Sequence, residues 1–151
     1  MQKPLYMKKS HPSLLPGLFL LLLFSWGCDQ KPTRQTTPVF QAGQPFDLKI
    51  NEKASLRDGD LEVEFVRILE DSRCPEGVNC VQAGQVRVQI TTTTAGNTQT
   101  AEMTLRGKED AGTSTRAGDY AIELAGVSPY PQGSTRIDPK DYSVRLVVTR
   151  E

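Results

Sequence analysis

The sequence predicts an all-β fold: a single antiparallel β-sandwich or barrel-like domain after a signal peptide and a flexible tether. Three observations carry this expectation. Apolar and polar residues alternate over several short stretches, the period of a strand with one face to a core and one to water. Gly, Asp and Pro punctuate those stretches, as in antiparallel sheets joined by tight turns. No window carries the wider apolar stripe of an amphipathic helix.

The elements follow in chain order. FDLKI (46–50) alternates Phe46, Leu48 and Ile50. RDGD (57–60) offers an Asp-Gly hairpin turn. LEVEFVRIL (61–69) places Leu61, Val63 and Phe65 on one face with acids between, then becomes continuously apolar near Val66 and Ile68. QVRVQITT (85–92) alternates Val86, Val88 and Ile90, and the turn AGN (95–97) leads into TAEMTL (100–105). Residues 106–119, RGKEDAGTSTRAGD, are polar and small and read as an exposed loop. YAIELAGV (120–127) and YSVRLVVT (142–149) complete the set. The stretch 46–151 is long enough for one core of sandwich type, and it contains no internal repeat.

The first 27 residues read as a signal peptide to be removed. Lys3, Lys8 and Lys9 precede a short apolar run, Leu14 to Phe24, and small residues follow. That order of parts is a secretion signal. The run is too short to cross roughly 30 Å of hydrocarbon as a stable helix; an uncut short anchor is the alternative. SWGC (25–28) resembles the cleavage box of bacterial lipoproteins. The resemblance implies a lipid on Cys28, with Gly27 as the small residue before the cut. Ser25 and Trp26 depart from the family's usual pattern. Several acyl chains, at about 0.8 kcal/mol per buried CH₂, hold a protein firmly on a membrane. Asp29 resembles the enterobacterial signal for retention in the inner membrane, without deciding the leaflet. Residues 28–45 are rich in Thr, Gln and Pro and read as an extended tether, unless Val39 and Phe40 dock on the domain as an edge segment.

Charge and composition then exclude several functions. Removing the first 27 residues takes three lysines and no acid, leaving 15 basic against 18 acidic side chains. That balance argues against nucleic acid as a partner, because phosphate binding needs a basic surface. The single His, His11, and the single Trp, Trp26, both leave with the signal. Without imidazole, Ser-His-Asp and Cys-His catalysis and His-based zinc or copper sites are excluded. No cofactor is expected.

DSRCPEGVNCVQAG (71–84) holds the two remaining cysteines, Cys74 and Cys80. A structural metal site usually needs four Cys or His ligands. A redox pair is usually C-x-x-C at a helix N-terminus, whereas this pair has five residues between. A disulfide suits an exported chain in an oxidising compartment, and Pro75 and Gly77 supply the bend. Closing so short a loop contributes only about 2 kcal/mol, so the bridge is suited to fixing one loop.

EDSRCPEGVNCVQAGQVRVQI (70–90) resembles the signature of a largely uncharacterised family of small bacterial envelope proteins and lipoproteins, whose common form is DSRCP-x-G-V-x-C-x-W-A-G followed by an alternating strand. YAIELAGVSPYPQGSTRIDPKDYSVRLVV (120–148) is similar to that family's closing strand pair with its Pro-Tyr-Pro loop. The likeness covers roughly 46–149. Gln82 stands where a Trp is common. The resemblance implies a small β domain with a disulfide loop, and no activity.

Asp71, Arg73, Glu76 and Asn79 crowd the cysteine loop and are candidates to contact a partner, with an Asp71–Arg73 pair supporting the loop as the alternative. Tyr130, between Pro129 and Pro131, is either an exposed contact or a cover for the end of the sandwich. Asp58 and Asp60 read as a turn rather than a calcium loop, which needs more oxygens than they provide. The function expected is a lipid-anchored, non-catalytic envelope module that binds or scaffolds. The expected partners are the membrane, through Cys28, and another envelope protein, with the domain in the periplasm or extracellular space. The alternative is a small hydrolase using two carboxylates.

Overall fold

The computed structural model describes residues 37–107 and 112–151. The expected signal peptide, Cys28, Asp29 and most of the stretch expected as a tether lie outside the described residues. The chain is all-β, with two packed sheets. Among the described residues the only helical turn is 3₁₀, Pro139–Asp141.

One sheet contains β1 (Val39–Phe40), β3 (Lys53–Leu56), β4 (Leu61–Asp71), β5 (Gln85–Thr94) and β6 (Asn97–Arg106), in that order. The other contains β2 (Pro45–Lys49), β9 (Ser143–Arg150), β8 (Tyr120–Ser128) and β7 (Ser114–Ala117). Alternation decides which side chains meet. Leu61, Val63 and Phe65, then Val86, Val88 and Ile90, point inward and are at most 1% exposed. Ile122, Leu124, Val144, Leu146 and Val148 answer from the facing sheet, each fully buried. The β5–β6 hairpin stays in register over its length, from Gln85↔Arg106 to Thr94↔Asn97. Its two-residue turn puts Ala95 and Gly96 at φ 48° and 78°, the handedness that matches the twist of the strands.

The apolar stretch after Phe65 has a structural cause. Register shifts fall between Phe65 and Arg67 and between Ile68 and Glu70, so Val66 and Leu69 are bulged residues. Each bulge inserts one residue and offsets the alternation.

Two expectations are corrected, and the antiparallel pairing has one exception. The stretch expected as tether up to residue 45 instead follows the edge-segment alternative: Val39–Phe40 form β1 at a sheet edge and Pro45 opens β2. Phe40 is buried and stacks on Phe46, ring centroids 4.0 Å apart; burying so large an aromatic surface outweighs the freedom of the segment. The pairing is not wholly antiparallel, since β1 runs parallel to β3. The loop expected over 106–119 contains β7, which pairs with β8 from Ser114↔Glu123 to Ala117↔Tyr120. The hairpin turn at 57–60 forms, but Asp58 rather than Gly59 takes the left-handed conformation, at φ 58°.

Candidate functional site

The loop joining β4 to β5 carries the predicted disulfide. Ser72 N–H bonds Gln85 O at 2.8 Å and Cys74 N–H bonds Ala83 O at 2.9 Å, prolonging the hairpin into the loop. The Cys74–Cys80 bridge, Cα atoms 6.0 Å apart, closes its tip. Gly84 makes the exit possible. Its φ is +69°, and a Cβ there would lie 1.8 Å from Ser72 O. The tip presents Val78 and the fully exposed Val81. Asn79 and Gln82 are exposed beside them.

Arg73 turns the other way, into the end of the sandwich, and is 3% exposed. Its guanidinium grips Asp71 with two bonds, Nε to Oδ1 at 2.8 Å and Nη2 to Oδ2 at 2.7 Å. It also reaches the other sheet. Nη1 donates to Val127 O at 2.7 Å and Nη2 to Pro129 O at 2.9 Å. Tyr130 covers the same guanidinium, 5.0 Å from its ring centroid. Tyr142 O–H donates to Asp71 Oδ2 at 2.9 Å. The planar fork of Arg suits such a site, where four donors in one plane are used at once.

The titrations follow from this geometry. Burial alone would raise the Asp71 pKa, but hydrogen bonds from Arg73 and Tyr142, with the charge of Arg73, outweigh it and hold the carboxyl below its usual range. Burial first, then the bond to Asp71, pushes Tyr142 up to about 12. Asp71 is thus an ionised acceptor with its lone pairs in use, not an acid poised to give up a proton.

The predicted site residues therefore separate. Asp71, Arg73 and Tyr130 come together as a latch between the sheets. Glu76 joins the same end by its backbone, N–H to Pro131 O at 2.9 Å, while Gln132 Nε2 reaches its carboxylate at 3.5 Å. Asn79 is not drawn into the cluster. Tyr142, absent from the sequence-based candidates, completes it; its place at the head of a strand marked it only as core.

Beside the latch lies an open cleft of about 550 Å³. Its floor has Ile50, Ile68 and Ile137, partly buried against the core. One wall is the second half of β4; the other is the loop from Pro131 to Pro139. Arg67 and Arg136 both line it. The volume is within the usual range of ligand sites, ≈ 300–1,000 Å³. Among the described residues no three His, Cys, Asp or Glu side chains converge as metal ligands would. Compared with known protein families, curated proteins and solved structures, the chain matches none.

Proposed function

We propose that this chain is a lipid-anchored, non-catalytic module of the bacterial envelope, of the family its cysteine block resembles, and that it acts by binding or scaffolding another envelope component. The lipoprotein-like box ending at Cys28 and the disulfide support export and anchoring. One observation carries the binding reading: the clasped end of the sandwich holds a cleft open beside it. The carboxylates there are engaged. Asp71 is held by Arg73 and Tyr142, and Glu70 accepts from Ser72 at 3.0 Å and faces Arg87 at 3.6 Å. A hydrolase of the two-carboxylate type needs one acid to protonate the leaving group while a second is free for water or sugar, and these two are otherwise occupied.

The test is cross-linking in the native membrane, followed by intact-mass analysis of the purified protein. The expected result is a chain beginning at an acylated Cys28, with thiols 74 and 80 resistant to alkylation before reduction, and a discrete cross-linked partner. An unacylated Cys28 would remove the anchor. Cross-linking that yields only the free chain would remove the scaffold role.

A further inference from the structure

We propose that the unpaired half of β4 accepts an extended acidic peptide as an added strand, lying in the cleft against the 131–139 loop. This rests on the binding reading above and names its ligand. β4 runs 11 residues, yet its neighbour on one side ends early. β3 pairs with Glu62 to Glu64. Asn51 and Glu52 extend that ladder by one step, bonding Phe65 O at 2.7 Å and Phe65 N–H at 3.1 Å. Beyond Phe65 no described residue pairs with β4 on that side. On its other side, the ladder with β5 continues to Asp71.

The cleft is lined by the consecutive residues 67–71. Despite the bulge, both faces of the strand are represented: Ile68 packs on the core, whereas Arg67 and Glu70 reach Gln89 and Arg87 on the outer face, so a cleft touching all of them runs along the strand edge, not over one face. It begins where the β3 ladder ends, beside Ile50. An open edge over an apolar floor is the requirement for strand addition. Main-chain bonds supply affinity, and pockets for alternate side chains supply selectivity.

Charge selects the occupant. Arg67 donates Nε to the neutral Gln89 at 2.8 Å, Arg136 is exposed on the loop, and neither pairs with a described carboxylate. A strand with aliphatic residues between carboxylates meets both features. The aliphatic side chains reach Ile68 and Ile137, and the carboxylates reach the two arginines. The bulges at Val66 and Leu69 interrupt the spacing of the edge, limiting the added strand to a short one and disfavouring indiscriminate edge-to-edge pairing.

The experiment titrates the full-length protein in detergent micelles with a blocked heptapeptide of alternating valine and glutamate. Controls carry lysine for glutamate, or N-methyl groups at alternate amides. Amide hydrogen exchange is followed along the chain. The glutamate peptide should slow exchange at 66–71, and both controls should fail to do so. Arg136→Ala and Arg67→Ala should each weaken binding by about fivefold, the value of a well-placed exposed ion pair. Equal binding of the lysine peptide, protection confined to other segments, or no binding at millimolar peptide would each overturn the proposal. The cross-linking experiment reports a partner whichever surface holds it, so this inference can fail while the binding reading stands.

Discussion

Replacing Arg73 by Ala should remove about 4 kcal/mol of stability at neutral pH and reverse the response of the latch to acid. The side chains of Arg73 and Asp71 are 1% and 8% exposed. Deleting the guanidinium leaves Asp71 ionised with only Tyr142 and the Arg73 backbone N–H, at 3.2 Å, as donors. Removing one partner of a buried pair costs about 3–5 kcal/mol. The carbonyls of Val127 and Pro129 also lose donors, although water entering the vacated space limits that loss. Total stability of a domain is about 5–15 kcal/mol, so the variant should be close to unfolding. The sign of the pH effect separates a lost charge partner from lost packing. In the wild type the Asp71 pKa is depressed. Its contribution is present above the unfolded carboxylate value, about 4, and is lost as pH falls through the lower folded value. In Arg73→Ala, burial without a counter-charge raises that pKa. The unfavourable charge is then relieved as pH falls, and the gap to wild type should narrow between pH 7 and pH 4. Urea unfolding of the full-length protein, followed by circular dichroism at several pH values, measures this. The double variant Asp71→Leu/Arg73→Met should recover most of the loss, giving a coupling of at least about 2 kcal/mol. Additive single effects, with a gap that stays constant with pH, would refute the charge-latch argument.

Other perturbations test separate parts of the structure. Cys74→Ser with Cys80→Ser should cost about 2 kcal/mol and accelerate amide exchange over 72–84; an unchanged melt with an equally protected loop would contradict the staple. Gly84→Ala forces a Cβ onto Ser72 O, so thermal melting should reveal a loss above about 2 kcal/mol, and near-wild-type melting would mean that the loop exits by another path. Among the described residues the buried Thr92 hydroxyl has no hydrogen-bond partner, so Thr92→Val should stabilise by about 1 kcal/mol; destabilisation in denaturant titration would point to an unseen partner. Tyr142 has a raised pKa, so its contribution is complete below the unfolded value near 10 and is lost as pH rises towards about 12. Alkaline unfolding should show that loss in the wild type and not in Tyr142→Phe.

The long strands were legible because each carries several turns of the period-two pattern: Leu48, the run from Leu61 to Phe65, Val86 to Ile90, and Val144 to Val148 all fall inward as their spacing requires. The short ones were not. β1 has two residues, and β3 and β7 have four each, too few for periodicity to rise above chance. β3 and β7 each pair with the next strand across a tight turn, but a turn signal alone does not show that so short a segment before it is a strand; β7 is also tied to β6, where Thr113 and Thr104 exchange bonds just ahead of it. The pairing of Asp71 with Arg73 was accessible because they lie only two positions apart. The reach of Arg73 to Val127 and Pro129 was not, because no local rule connects positions 54 and 56 residues apart. The cleft was invisible for the same reason. Its edge exists only because β3 ends before β4 does.

The span of the Arg73 latch also bears on the order of folding. Its bonds connect residues 54, 56 and, through Asp71 and Tyr142, 71 positions apart. The β4–β5 and β8–β9 hairpins must already exist before these groups can meet, and closing so long a loop is entropically unfavourable until other contacts hold it. The guanidinium and the carboxylate therefore leave water late, after the transition state. Interactions made that late slow unfolding and leave the folding rate little changed. The latch acts as a brake on opening: it lengthens the lifetime of the native state more than it hastens its arrival.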